Sequence, residues 1–125
     1  MRGARCWYVA EAVVNHVGSA TFGQKSDNAI YHGHRNLVWV YWKNMPPRLF
    51  WQYLPAHFFM NVLYLIYFSF TGHARAIWRA KLHALRGLGA TLHKRREIQR
   101  MRVVEAAGLR RLMDCRWLSV FPRWR

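Results

Sequence analysis

Apolar and polar positions change rhythm several times along the chain, and each change marks an expected element. Cys6 to Val9 and Ala12 to Val17 are short runs of β-prone residues, each about the length of a buried strand, with Ala10-Glu11 as the only break. Two such strands alone would leave unpaired edges, so the rest of their sheet is expected upstream of Met1. Gly18 to Lys25 is rich in small and hydroxyl residues and reads as a loop. Ser26 or Asp27 can then accept backbone N–H bonds at the start of a helix. Ile30, Leu37, Val38, Tyr41 and Trp42 approximate one face of that helix, and Gly33 weakens its middle. Pro46-Pro47 ends it near Asn44, because the residue before a proline is pushed out of the helical region.

From Leu49 to Ala74 there is no Asp, Glu, Lys or Arg. Pro55 suits the first turn of a helix running to about Thr71. Such a helix, about 16–20 residues at ~1.5 Å each, reaches roughly 24–30 Å, which is borderline for crossing a bilayer. Trp51, Tyr53, Tyr64 and Tyr67 are aromatics of the kind that favour headgroup level, and His57 and Asn61 form a polar i,i+4 pair. An in-plane or re-entrant helix is therefore favoured over a spanning one. Ala74 to Arg86 reads as a basic amphipathic helix, with Ile77, Trp78, Leu82 and Leu85 on one side. Arg75, Arg79, Lys81, His83 and Arg86 occupy the remainder. Gly87 and Gly89 punctuate it, and Leu92 to Met113 reads as a second basic helix. The tail from Trp117 to Arg125 is expected to be frayed or interfacial. There are no internal repeats.

Charge sharpens this pattern. The 125 residues carry 20 Lys and Arg against 5 Asp and Glu, a formal charge of +15, which favours an anionic partner. With 53% hydrophobic and 16% aromatic residues, the chain is not a disordered polycation. The excess is +4 up to Ala74 and +11 from Arg75 onward, so the basic half is expected at the cytoplasmic face of a membrane, where anionic lipid and the positive-inside tendency agree. Cys6 and Cys115 have no spacing motif, and no signal peptide with a cleavage pattern is visible.

Candidate chemistry is sparse. No paired carboxylates exist near the one loop that combines His, Ser and Thr. His32 and His34 point to different sides of a helix, which argues against a shared metal. His57, His73, His83 and His93 read as interfacial or solvated. His16 stands out, at a strand end just before Gly18-Ser19-Ala20-Thr21. It could be a metal or phosphate ligand, or a hydrogen-bonded core histidine.

The segment from Trp7 to Thr21, Trp-Tyr-Val-Ala-Glu-Ala-Val-Val-Asn-His-Val-Gly-Ser-Ala-Thr, resembles a family-2 glycosyltransferase of the bacterial rhamnosyltransferase-like kind. Tyr31 with Arg35-Asn36, then Lys43-Asn44-Met45-Pro46, Leu54-Pro55 and Lys94-Arg95-Arg96, follow in the expected order, so the resemblance covers roughly Arg2 to Met113. It implies sugar transfer from a nucleotide-diphosphate donor, with dTDP-rhamnose one candidate, to a lipid-linked or polysaccharide acceptor. It also implies a GT-A fold with a divalent metal, Mg or Mn. By the same resemblance His16 would lie beside metal and diphosphate, Arg35 would meet the diphosphate or the acceptor, and Ser19 and Thr21 would line the acceptor loop. Arg35 reads equally as a surface charge on an amphipathic helix. Trp51, Tyr53, Tyr64, Tyr67, Trp78, Arg75 and Arg79 are the expected membrane contacts.

The departure from the family is as informative. Its nucleotide-binding start, Asp-x-Asp motif and acidic base should all precede Cys6, where only Met1 to Arg5 stand. The expected architecture is therefore mainly α, with short N-terminal strands left from an α/β GT-A domain. Residues 1–27 would be the C-terminal edge of that catalytic domain and 28–125 a helical membrane-associated region. The chain alone is expected to be inactive and to hold no cofactor tightly. The competing readings are a basic membrane-surface interaction module and a small nucleic-acid binder; the uncharged Leu49 to Ala74 stretch counts against the second.

Overall fold

The computed structural model describes residues 26–113, with Glu11 alone before them, and all its regular structure is helical. The expected strands over Cys6 to Val17, the loop to Lys25 and the tail from Trp117 lie outside the described residues. Five helices follow one another: α1 (Asp27–Asn44), α2 (Pro47–Phe70), α3 (Ala74–Arg86), α4 (Leu88–Arg100) and α5 (Ala106–Leu112).

α1 begins and ends where its sequence dictates. The Ser26 hydroxyl accepts the N–H of Ala29 at 3.2 Å, and Asp27 lies in the first turn, where a negative charge suits the helix dipole. Pro46-Pro47 stops it. Prolines have no N–H, so the carbonyls of Trp42 and Lys43 lose the donors four residues on. Arg95 of α4 replaces part of this, its Nη1 donating to the carbonyls of Trp42 and Met45 at 2.8 and 2.7 Å. Gln99 adds a bond to the carbonyl of Asn44 at 3.2 Å. The buried face of α1 agrees with the expected one in part: Ile30 and Tyr41 are buried, whereas Leu37 faces outward.

α2 begins at Pro47, not Pro55. A proline in the first turn surrenders an N–H that has no helical partner anyway, and Pro47 meets that condition first. Pro55 is carried inside the helix, where the carbonyl of Trp51 loses its usual donor. The result is 24 residues, about 36 Å at ~1.5 Å per residue. The helix closes in a Schellman motif: Gly72 takes φ 84°, and the N–H of His73 reaches the carbonyl of Phe68 at 3.0 Å.

α3 lies between the first two helices. Asp27 meets His73 at its start, and the Trp39 indole donates to the carbonyl of Ala84 near its end, so α1 and α3 run in the same direction. Its buried face is Ala76, Ile77, Ala80 and Ala84, with Ile77 at 0% exposure. Trp78, Leu82 and Leu85, expected beside Ile77, are turned outward. Small residues at every fourth position let neighbouring backbones approach, which bulky ones would prevent. The expected single helix over Leu92 to Met113 is instead α4 and α5. The β-branched pair Val103-Val104 disfavours helix, and Arg102 holds the Val104 carbonyl at 3.0 Å across the break.

Gly87 joins α3 to α4 under the Trp39 indole, and a Cβ there would lie 2.5 Å from the Trp39 ring. Since the indole is already tied to Ala84, Gly87→Ala should lower unfolding free energy by about 1–3 kcal/mol in urea denaturation. Gly89→Ala meets nothing within 4 Å and should be neutral or stabilising by up to about 1 kcal/mol. Arg95→Ala, which removes the donor to both carbonyls, should cost about 1–3 kcal/mol in the same assay.

Candidate functional site

Polarity in α2 is reversed relative to a helix on a water-soluble core. Its exposed residues, including Trp51, Phe58, Phe59, Leu63, Ile66, Tyr67 and Phe70, share one half of the helix, where the exposed polar residues Arg48 and Gln52 are confined to the first turns. Phe70 is 87% exposed, Trp51 70% and Phe58 69%. The polar side chains further along are half-buried and bonded within the bundle. Asn61 donates to the carbonyl of His57 at 2.6 Å, and Ser69 donates to that of Leu65 at 2.7 Å. Lys81 of α3 completes the set by donating to the Asn61 amide oxygen. A soluble amphipathic helix hides its apolar stripe and shows its polar one; α2 does the opposite. It is also the one helix among the described residues long and apolar enough to cross a membrane by length and composition.

Aromatic and histidine rings fill the space between α1 and α2. Tyr41 stacks on His57 with centroids 3.9 Å apart and planes 7° apart, and its hydroxyl donates to the carbonyl of Phe50. His34 sits between Tyr64 and Phe68, at 4.8 and 5.1 Å. Its Nδ1 is buried without a hydrogen-bond partner. Burial there, with the Lys81 ammonium nearby, holds His34 down from 6.5 to about 4. The same two causes lower His57, and burial lowers Lys81 from 10.5 to about 8. The two ion pairs among the described residues, His73 with Asp27 and His93 with Glu97, involve none of these groups.

A second cluster lies on the α1–α3 side. Arg35 donates to the Tyr31 hydroxyl at 3.1 Å and to the Asn36 amide oxygen at 3.1 and 3.2 Å, and its guanidinium stands 4.6 Å from the Trp39 ring centroid. The Tyr31 hydroxyl also meets His83 Nδ1 at 2.6 Å, and the Arg79 guanidinium stands 4.9 Å from the Tyr31 ring. Arg35 is thus held within its own helix by residues one and four positions away.

No family model, curated protein or solved structure matches the chain.

The sequence-derived site residues fall into separate groups. His16, Ser19 and Thr21 lie outside the described residues. Arg35 joins the Tyr31 cluster. Trp51, Tyr67, Trp78, Arg75 and Arg79 are exposed, Tyr53 is partly so, and Tyr64 turns inward against His34. Among the described residues no three His, Cys, Asp or Glu side chains converge, so the implied Mg or Mn has no donor set there. The sequence reading missed Lys81 as the inward partner of Asn61; its place on the arc next to Ile77 was the available signal. It also missed the apolar groove of about 670 Å³ lined by Leu37, Val40, Tyr41, His57, Ile98 and Leu109, because the break before α5 that builds it was not expected.

The unfolded chain protonates histidine near pH 6.5, while folded His34 resists until about pH 4, so the unfolded state binds more protons between these values. Stability therefore falls as pH drops through that window. The thermal midpoint, followed by circular dichroism, should decrease from pH 6.5 toward pH 4, and His34→Leu should flatten that slope. An unchanged slope in the variant would remove His34 as its source.

Proposed function

We propose that this chain is the membrane-docking helical part of a sugar-transferring enzyme, similar to the rhamnosyltransferase-like members of glycosyltransferase family 2. The activity would move a sugar from a nucleotide-diphosphate donor, dTDP-rhamnose among the candidates, to a lipid-linked or polysaccharide acceptor at the cytoplasmic face of the inner membrane. The observation that carries the docking is the reversed polarity of α2, whose polar groups are bonded inward while Phe58, Phe59 and Phe70 stand exposed. A contiguous apolar surface of this kind marks a protein or membrane contact, and the +11 excess after Ala74 favours the anionic membrane.

The sugar-transfer half rests on the resemblance. Supporting it, two of its motif segments, more than 40 residues apart in sequence, meet in space: Arg95 of Lys94-Arg95-Arg96 bonds to the Met45 carbonyl of Lys43-Asn44-Met45-Pro46. The residues that would carry a metal or a catalytic base are not among those described, so the contribution of this region is to hold and orient. A stand-alone membrane-surface module is the second reading, and the same α2 face favours it. Translating the DNA upstream of Met1 in all frames separates the two. An α/β segment bearing Asp-x-Asp supports the enzyme, and its absence supports the module.

Docking is measured by co-sedimentation of the whole chain with vesicles. Strong association with phosphatidylglycerol-containing vesicles is expected, weakening as salt rises. Phe58→Ser and Phe59→Ser should each reduce partitioning about tenfold, since each removes about 1.5 kcal/mol of buried apolar surface. Salt-dependent DNA binding without vesicle association would instead point to a nucleic-acid partner.

A further inference from the structure

The exposed surface of α3 is divided in a way that fixes how the bundle meets its partner. Lys81, bonded to Asn61, marks the flank of α3 toward α2, and His83, bonded to Tyr31, marks the flank toward α1. At about 100° per residue, Leu85, Trp78 and Leu82 follow Lys81 around the helix, while Arg75, Arg86 and Arg79 follow on the His83 side. All six are exposed, and Arg79 lies over the α1 residue Tyr31 as that placement requires. The apolar strip of α3 therefore continues the outward face of α2, and a row of three arginines borders it. Leu37 and Val40 of α1, also exposed, belong instead to the groove shared with Ile98 and Leu109.

We propose that this surface lies flat on an anionic bilayer. α2 forms its submerged keel from Trp51 to Phe70, with exposed Arg48 in its first turn reaching back to the headgroups; Trp78, Leu82 and Leu85 sit just below the headgroups, and Arg75, Arg79 and Arg86 bind lipid phosphates. The proposal rests on the docking reading above and adds the orientation and the headgroup contacts. An upright α2 is disfavoured by its neighbours. α1 runs beside it from Tyr41 at His57 to Ile30 at Leu65 and Phe68, and α3 packs on it through Lys81 and Ile77. Standing α2 across the bilayer would carry Arg35, Arg75, Arg79 and Arg86 into hydrocarbon with it, where guanidiniums are expensive. Lying flat keeps them at the level of the phosphates, whose oxygens match the planar fork. The border also selects the partner: Arg75, Arg79 and Arg86 make no ion pair in the bundle, so a negatively charged surface gains contacts that a purely apolar protein face does not.

The test uses the full chain with Cys6 and Cys115 replaced by serine, bound to vesicles of phosphatidylcholine and phosphatidylglycerol. Single nitroxide labels are placed through Phe59→Cys, Ile66→Cys, Phe70→Cys and Leu82→Cys, and depth is read from relative exposure to oxygen and to a polar relaxant. Similar shallow depths at all four positions are expected. A depth that peaks at Phe59 and returns to headgroup level at Phe70 would overturn the flat orientation while leaving docking intact. The triple variant Arg75→Gln, Arg79→Gln and Arg86→Gln should lose roughly a hundredfold in affinity for these vesicles. An equal loss from Lys94→Gln, Arg96→Gln and Arg100→Gln would assign the effect to net charge and overturn the headgroup row. Failure to bind any vesicle would overturn both the orientation and the docking reading.

Discussion

Two adjacent prolines turn the chain between α1 and α2, and they leave behind a helix end short of donors. The carbonyl of Trp42 faces a proline nitrogen, and those of Asn44 and Met45 lie beyond the last helical turn. A buried carbonyl without a partner costs about 1–3 kcal/mol, so the turn is sustainable only if another element supplies N–H groups. α4 does so with Arg95 and Gln99, and the Arg95 guanidinium also lies 4.9 Å from the Phe50 ring at the start of α2. One side chain thus joins the end of one helix, the start of the next and a third from far along the chain. A positive charge at a helix C-terminus gains further from the helix dipole. The placement of α4 against the end of α1 follows from that junction.

The second constraint is satisfaction of polar groups without water. Asn61 and Ser69 bond back to carbonyls four residues earlier, and Lys81 spends a donor on Asn61. With those groups bonded within the bundle, the outer half of α2 beyond Gln52 presents mostly apolar side chains and can meet hydrocarbon. The interior is correspondingly unlike that of a soluble bundle. Its fully buried side chains are few and small, and rings such as Tyr41, His57, His34 and Tyr64 do much of the filling. An interior of this kind supplies modest hydrophobic driving force, so contact of the outer face with lipid would stabilise the same arrangement that exposes it.

The local signals in the sequence were strong where backbone chemistry decides. Ser26 as a cap, Pro46-Pro47 as a stop, a helix end near Thr71 and Ala74–Arg86 as a helix all follow from donors, acceptors and allowed dihedrals. They failed where tertiary contact decides. Pro55 read as a start because an internal proline is costly in isolation, yet Pro47 could serve the first turn and the helix tolerates the second. Trp78, Leu82 and Leu85 read as sharing one apolar side with Ile77, because spacing alone does not say which part of that side is covered. Here α3 sits where only alanine and Ile77 fit, and the bulky stripe is left for the outside. Of the candidate site, exposure of Trp51, Trp78, Arg75 and Arg79 was legible from composition. The inward turn of Tyr64, the aromatic clamp on Arg35 and the role of Lys81 depend on which helix lies opposite, which periodicity does not encode.

Basic residues here do two different kinds of work, and net charge conceals the division. Lys94-Arg95-Arg96 looks like one patch in the sequence, yet Arg95 faces the α1 terminus while Lys94 and Arg96 are exposed. The same holds on α3, where Lys81 is turned inward and Arg75, Arg79 and Arg86 are exposed. Inward cations hold helices through hydrogen bonds that salt scarcely screens; outward ones act through a field that falls off within about 10 Å at ordinary ionic strength. Raising salt should therefore separate the two functions in a way that removing charge cannot. The bundle stays assembled while its attraction to an anionic surface declines, because the groups that build the scaffold and the groups that aim it are distinct side chains on the same helices.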